Sequence, residues 1–343
     1  MRLPPPPLPL PARRSHVTLP SFDSPSELVR VRGARAPPPA RVLILPGNPG
    51  AAAFYGAFAE RLAADLGGAD VTVLSLRGHG GLPPGVRAHG HAPLDLAAQV
   101  DHAAAALTAM LHGTELGPRC SSPVVVIGHS IGATVAARAV AAVEAASPPT
   151  APTWDSPPSP DGDSEKSPSG RCVAAAVALM PYARFDDGSP VQRRLRRLAA
   201  ARSVAAAAAS ALAALPARAQ RAALTATAGR AWTCGRAPDA LLEFIKCGGA
   251  AHALALAADE FRVLRTAPAP AWAPYARLHA RLAVIAAPND AWFPAHHWAE
   301  CRAAAPRAAF EEIKGVRHDF VTDAAATAAT AAAAARLVRG MLA

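Results

Sequence analysis

The chain has 343 residues, 51% of them hydrophobic, and a formal net charge of +10. That is enough apolar material for one large domain with an insertion, or for two smaller domains. The basic balance suits nucleic acid or an anionic membrane. However, aromatics make up only 5% of the chain and are not interleaved with the basic residues as a stacking surface requires, so nucleic acid is not expected as a partner.

Five cysteines (Cys120, Cys172, Cys234, Cys247 and Cys301) are scattered and odd in number, with no C-x-x-C pair. Neither a disulfide framework nor a zinc site is indicated, and the default compartment is a reducing one. No cofactor or metal is expected. Residues 1–20 open on a proline-rich run too broken to be a secretory core, and they are expected to be disordered. A single catalytic domain is expected over 21–343.

Glu27 to Arg32 alternates polar and apolar residues and predicts an edge strand. Arg41-Val42-Leu43-Ile44-Leu45 is a continuous apolar run, the pattern of a strand buried on both faces, and it stops at Pro46-Gly47-Asn48-Pro49-Gly50. Phe54, Phe58, Leu62 and Leu66 fall at helical spacing. A strand is predicted over 71–76, closed by Arg77-Gly78-His79-Gly80-Gly81, and a helix over 94–111. After a second buried-type strand and an alanine-rich helix, 147–170 is rich in Pro, Ser and Asp and predicts a disordered loop. The sheet resumes over 172–180.

From 190 to 270 the pattern is helical and alanine-rich without a strand signal. Nine arginines (193, 194, 196, 197, 202, 218, 221, 230 and 236) fall between Ser189 and Pro238, a span with no Asp or Glu. This stretch is expected to be a helical lid or cap that can face a membrane. Strands are predicted over 282–286 and 309–313, and a final helix over 321–342. Strands alternating with helices give an α/β fold with a mainly parallel, doubly wound sheet.

The run Val124-Val125-Val126-Ile127 leads into Gly128-His129-Ser130-Ile131-Gly132. Gly-x-Ser-x-Gly between a strand and a helix is the pattern of a nucleophile elbow, whose sharp turn lifts the serine hydroxyl above the sheet. A serine hydroxyl needs a base. His318 stands on a loop between the last strand and the last helix, where this architecture places its chemistry. His129 lies inside the elbow and cannot turn back onto Ser130. His79 follows a strand end and is a candidate pocket wall, while His296 and His297 are expected on a helix. The orienting acid favoured by chain order is Asp290, just beyond the 282–286 strand. Asp186 and Asp187, after the preceding strand, are the rivals. Asp319 adjoins His318 in sequence, so their side chains point apart. An oxyanion hole needs two backbone N–H groups. Ile131 supplies one, and the loop after Leu45 the other. Pro46 and Pro49 have no N–H, which narrows the choice, and Asn48 is favoured.

Taken together, Leu45-Pro46-Gly47-Asn48-Pro49-Gly50 with Phe54-Tyr55 and Phe58, Gly128-His129-Ser130-Ile131-Gly132, Asn289-Asp290-Ala291-Trp292-Phe293-Pro294 and His318-Asp319-Phe320-Val321 resemble the lipid droplet-associated hydrolases. The match covers about 41–135 and 282 to the C-terminus. The resemblance implies an α/β-hydrolase fold, a Ser130–Asp290–His318 triad and lipid or sterol esters as substrates. It also implies residence on lipid droplets and the endoplasmic reticulum. The family's middle region is a more hydrophobic helical segment, whereas 193–258 here is dominated by alanine and arginine. Attachment to a lipid surface is therefore expected to be peripheral and salt-sensitive rather than through a spanning helix. Two other readings keep the same residues: a droplet-surface protein of low turnover, and a soluble esterase or thioesterase of small acyl substrates.

Overall fold

The computed structural model describes residues 11–19, 22, 25–81, 94–117, 121–146, 173–224, 226, 232–234, 237–266 and 271–343. The loop expected over 147–170 and the first ten residues lie outside them. In chain order the first half comprises β1 (Arg13–Val17), β2 (Ser26–Val31), β3 (Arg41–Leu45), α1 (Gly56–Asp65), β4 (Asp70–Leu74), α2 (Leu96–His112), β5 (Val124–His129) and α3 (Ile131–Ala146). The second half opens with β6 (Val173–Leu179) and then runs through helices only: α4 (Pro190–Ala200), α5 (Arg202–Ala214), α6 (Ala217–Leu224), α7 (Ala237–Lys246), α8 (Gly249–Thr266) and α9 (Ala273–Ala276). It returns to the sheet with β7 (Leu282–Ala286), α10 (Ala295–Ala304), β8 (Ala309–Glu312) and α11 (Ala324–Leu342).

The strands form one eight-stranded sheet in the order β1-β2-β4-β3-β5-β6-β7-β8. It is parallel from β4 to β8, while β1 and β2 pair antiparallel with their neighbours. The uninterrupted apolar runs occupy the centre, and every residue of β3, β5 and β7 is buried. Because side chains alternate along a strand, each central strand feeds two cores. Val42, Ile44, Val125 and Ile127 meet α1 and α11 on one face. Leu43, Leu45, Val126 and Val284 meet α2 and α3 on the other. Burying one such side chain contributes roughly 1.5–3 kcal/mol. The helices answer with alanine (Ala331, Ala333, Ala334 and Ala335 in α11), so close approach to the sheet compensates for small side chains.

The structure departs from the sequence expectation at the N-terminus. Residues 13–17, placed in a disordered segment, form β1 on the edge of the sheet. They pair with β2 from Arg13↔Arg30 to Val17↔Ser26, and Arg14 forms an ion pair with Glu27. Their polar sequence conceals a strand that tertiary pairing creates. β2, read as the edge, is thereby one strand in.

The chain passes from β3 to β4 on one side, then returns to β5 on the other side of β3. The carboxyl ends of β3 and β5 thus flank a topological switch point, where open sheets of this kind form a crevice. The helices between β6 and β7 approach this end. Ser189 accepts from the Gln192 N–H and Pro190 occupies the first turn, which starts α4 cleanly. α4, α5 and α7 pack on α8. Among the described residues no single helix is long and apolar enough to cross a membrane. α7 and α8 reach that length only together, across a 90° bend.

Several histidines are buried in the folded chain. Desolvation lowers His79 to about 3 and His102 and His297 to about 4, and drives His129 well below the ordinary 6.5. As pH falls below 6.5, the unfolded chain takes up protons that the folded chain refuses, so stability is full above 6.5 and is lost towards pH 4. The thermal unfolding midpoint is expected to drop between pH 7 and pH 5 by more than in a His102→Gln variant. Calorimetry across that range checks this, and a flat profile contradicts it.

Candidate active site

Gly128 lets β5 meet the start of α3, and Gly132 lets α3 meet the end of β3. A Cβ at Gly128 would lie 2.4 Å from Ala133 Cα, and one at Gly132 would lie 2.3 Å from the Leu45 and Pro46 carbonyl oxygens. Neither site admits a side chain. Between them Ser130 turns through a left-handed φ of 55°, a conformation that costs a non-glycine residue on the order of 1–3 kcal/mol. Three backbone bonds hold it there: Ser130 N–H donates to Leu179 O, and the Ala133 and Tyr182 N–H groups donate to Ser130 O.

Above the sheet, Ser130 Oγ is 2.9 Å from His318 Nε2. His318 Nδ1 is 2.8 Å from Asp290 Oδ2. Asp290 Oδ1 accepts from the Trp292 N–H at 2.8 Å. A carboxylate only accepts, so His318 Nδ1 carries the proton and Nε2 accepts from the serine hydroxyl. The Asp290 side chain is fully buried while that of His318 is 21% exposed. The arrangement offers a hydroxyl, a base in hydrogen-bond contact with it, and a carboxylate behind the base.

The rival acids are occupied elsewhere. Asp186 accepts from the Gly188 N–H, Asp187 pairs with Arg196 and Arg265, and Asp319 pairs with Arg317. His296 and His297 lie on α10 as the sequence suggests. His79 does not line the cleft. It is buried under the loop after β3, where its Nδ1 accepts from the Gly50 N–H at 3.1 Å. His129 is bonded to Tyr55, not to Ser130. Its Nδ1 is 2.6 Å from Tyr55 Oη, which itself accepts from the Gly47 N–H.

These bonds settle which backbone donors stay free. In 46–52, Gly47 donates to Tyr55, Gly50 to His79, Ala51 to Pro49 O and Ala52 to Ser75. Pro46 and Pro49 have no N–H. Among the described residues, the Asn48 N–H alone in this stretch has no partner. Ile131 is the first residue of α3, so its N–H has no intrahelical acceptor and lies at the positive end of the helix dipole.

A cleft of about 220 Å³ opens beside Ser130 and His318. Leu195, Leu198, Leu254, Phe261 and Trp292 form apolar walls, and Asn48, Tyr182 and Glu260 form a polar one. Sequence reading missed Tyr182 and Glu260. The first lies just beyond the β6 strand signal, and the second is one acid in an alanine-rich helix, with no motif around it.

The fold and site can be set beside known proteins. A thermophilic esterase from Thermogutta terrifontis superposes with a TM-score of 0.55 at 16% identity, covering 96% of this chain and 99% of that one. A bacterial membrane phospholipase A described as a virulence factor gives 0.59 at 14%, covering 96% and 87%. An α/β hydrolase fold protein from Nakamurella multipartita gives 0.50 at 17%, covering 95% and 99%. At such identities the likeness establishes the fold, which is that of the α/β-hydrolases. No curated protein matches the sequence. The family model for lipid-droplet associated hydrolases, in contrast, matches residues 38–321, a span that includes the elbow, Asp290 and His318. The chain belongs to the lipid-droplet associated hydrolase family.

Proposed function

We propose that this hydrolase cleaves carboxylic esters of lipids, with Ser130 as nucleophile, His318 as general base and Asp290 as the acid that orients it. The observation that carries this reading is the unbroken hydrogen-bond chain from Asp290 through His318 to Ser130 at the mouth of an apolar cleft. Ser130 Oγ attacks the ester carbonyl and passes its proton to His318 Nε2, and Asp290 stabilises the imidazolium. The carbonyl oxygen takes the negative charge and receives the free N–H groups of Asn48 and Ile131. Collapse expels the alcohol, protonated by His318. Water activated by the same histidine then frees the acid and restores Ser130.

The lipid surface is part of this proposal. Arg194, Arg197, Arg202 and Arg218 are exposed on α4, α5 and α6 and have no ion-pair partner among the described residues. Leu198, Val204 and Leu215 are exposed nearby, Val204 to 72%. Exposed basic and apolar groups on these helices suit peripheral binding to an anionic interface such as a droplet or the endoplasmic reticulum, at roughly 1 kcal/mol per arginine. The cleft volume favours a second reading. Ligand pockets usually measure about 300–1,000 Å³, so 220 Å³ suits a short acyl chain, as in a small ester or thioester, unless α4 and α8 part for a longer one.

A fluorophosphonate probe is expected to label Ser130. Ser130→Ala is expected to abolish labelling and lower turnover by about 10⁴–10⁶-fold; full activity in that variant removes the mechanism. Asp290→Asn is expected to lower turnover by about 10³–10⁴-fold. A nearly silent Asp290→Asn beside an inactive Asp186→Asn would move the acid to the earlier strand. A series of esters graded by chain length separates the lipid reading from the short-acyl one. Flotation with anionic liposomes is expected at low salt, and replacing Arg194, Arg197, Arg202 and Arg218 by Gln is expected to release the protein at physiological salt. Binding that survives a high-salt wash instead points to a hydrophobic attachment.

A further inference from the structure

The loop after β3 is gripped from two directions. From below, Tyr55 and His79 take the Gly47 and Gly50 N–H groups. From above, the grip comes from α8. Asn48 Nδ2 donates to Ala253 O at 2.9 Å and to Glu260 Oε1 at 3.3 Å. Glu260 is 3% exposed and borders the cleft that holds Ser130 and His318. Among the described residues no donor reaches its Oε2. A carboxyl in this position is unusual. Asp187 and Glu300 pair with arginine, but among the described residues Glu260 forms no ion pair.

We propose that Glu260 is a positioning residue for acyl transfer: through the Asn48 side chain it fixes the loop whose free N–H receives the developing oxyanion, and so ties α8 to the chemistry on the sheet. This rests on the reading of Ser130, His318 and Asn48 given above. The Asn48 amide needs an acceptor oxygen, and either a neutral carboxyl or a carboxylate supplies one. The difference lies in charge. An ionised Glu260 sets a negative charge beside the place where the substrate oxygen becomes negative, which opposes the reaction. The groups facing it are Asp259 on its own helix, Tyr182 beyond β6 and His318 beyond β8. Asp259 is turned to Arg262 and the Leu96 N–H. Burial raises the Glu260 carboxyl to about 8, against the bond from Asn48 and with help from Asp259. That shift favours the uncharged acid at neutral pH.

The test compares Glu260→Gln and Glu260→Ala with the wild type, measuring kcat and KM on one soluble ester from pH 6 to 9.5, with thermal unfolding as a check on folding. Glu260→Gln keeps the acceptor oxygen and cannot ionise. It is expected to retain kcat within about threefold at pH 7 and to lack the alkaline decline expected of the wild type. Glu260→Ala is expected to lose about 10–100-fold in kcat with little change in KM, as a misplaced transition-state donor does. A kcat unchanged in Glu260→Ala overturns the proposal. So does an alkaline decline that persists in Glu260→Gln, which remains decisive even if the alanine variant fails to fold. If the wild type itself neither takes fluorophosphonate on Ser130 nor cleaves any ester, the underlying reading falls and takes this inference with it. An active wild type with indifferent Glu260 variants removes this inference alone.

Discussion

Helix α3 begins in contact with the end of β3. The contact is tight enough that a single carbon added at Gly132 would overlap two carbonyl oxygens. Much else depends on this approach. It forces the turn between β5 and α3 into its left-handed step at Ser130. It also brings the loop after β3 alongside the serine, so that Asn48 and Ser130 line the same cleft. The strain is local, and it is held by backbone bonds to the end of β6 and to the segment beyond it. His318 and Asp290 then arrive from loops at the same end of the sheet, carried there by β8 and β7.

The same residue type plays two parts here, divided by access to water. His79 and His129 are buried, which disfavours their charged form, and act as acceptors that organise the loop from within. His318 keeps part of its ring open to solvent and has a carboxylate behind it, so an imidazolium has a stabilising partner. Burial thus removes two histidines from chemistry and leaves the third available for it.

The central strands were legible because an apolar run of five or six residues between turn signals has few other uses, and 282–286 coincides with β7 to the residue. Ser130, Asp290 and His318 were legible by a local motif and by chain order, and the structure brings the three within hydrogen-bond distance. Asn48 could be narrowed by the prolines around it, but its isolation as the free donor depends on Tyr55, Ser75 and His79, which come from elsewhere in the chain. β1 was illegible because its strand character comes from pairing with β2 and not from its own pattern. Glu260 was hidden for a similar reason: nothing near it in sequence marks it, and only folding sets it against a loop more than two hundred residues away.

Helices α4 to α9 leave the sheet from β6 and return through β7, and those two strands are neighbours. The region is thus a cassette whose two junctions with the sheet lie side by side. Exchanging it would leave the hydrogen-bond chain on the sheet in place, while replacing Leu195, Leu198, Leu254 and Phe261 and keeping Trp292. The Asn48–Glu260 bond crosses that seam, so a transplanted cassette would have to bring its own acceptor for the loop amide.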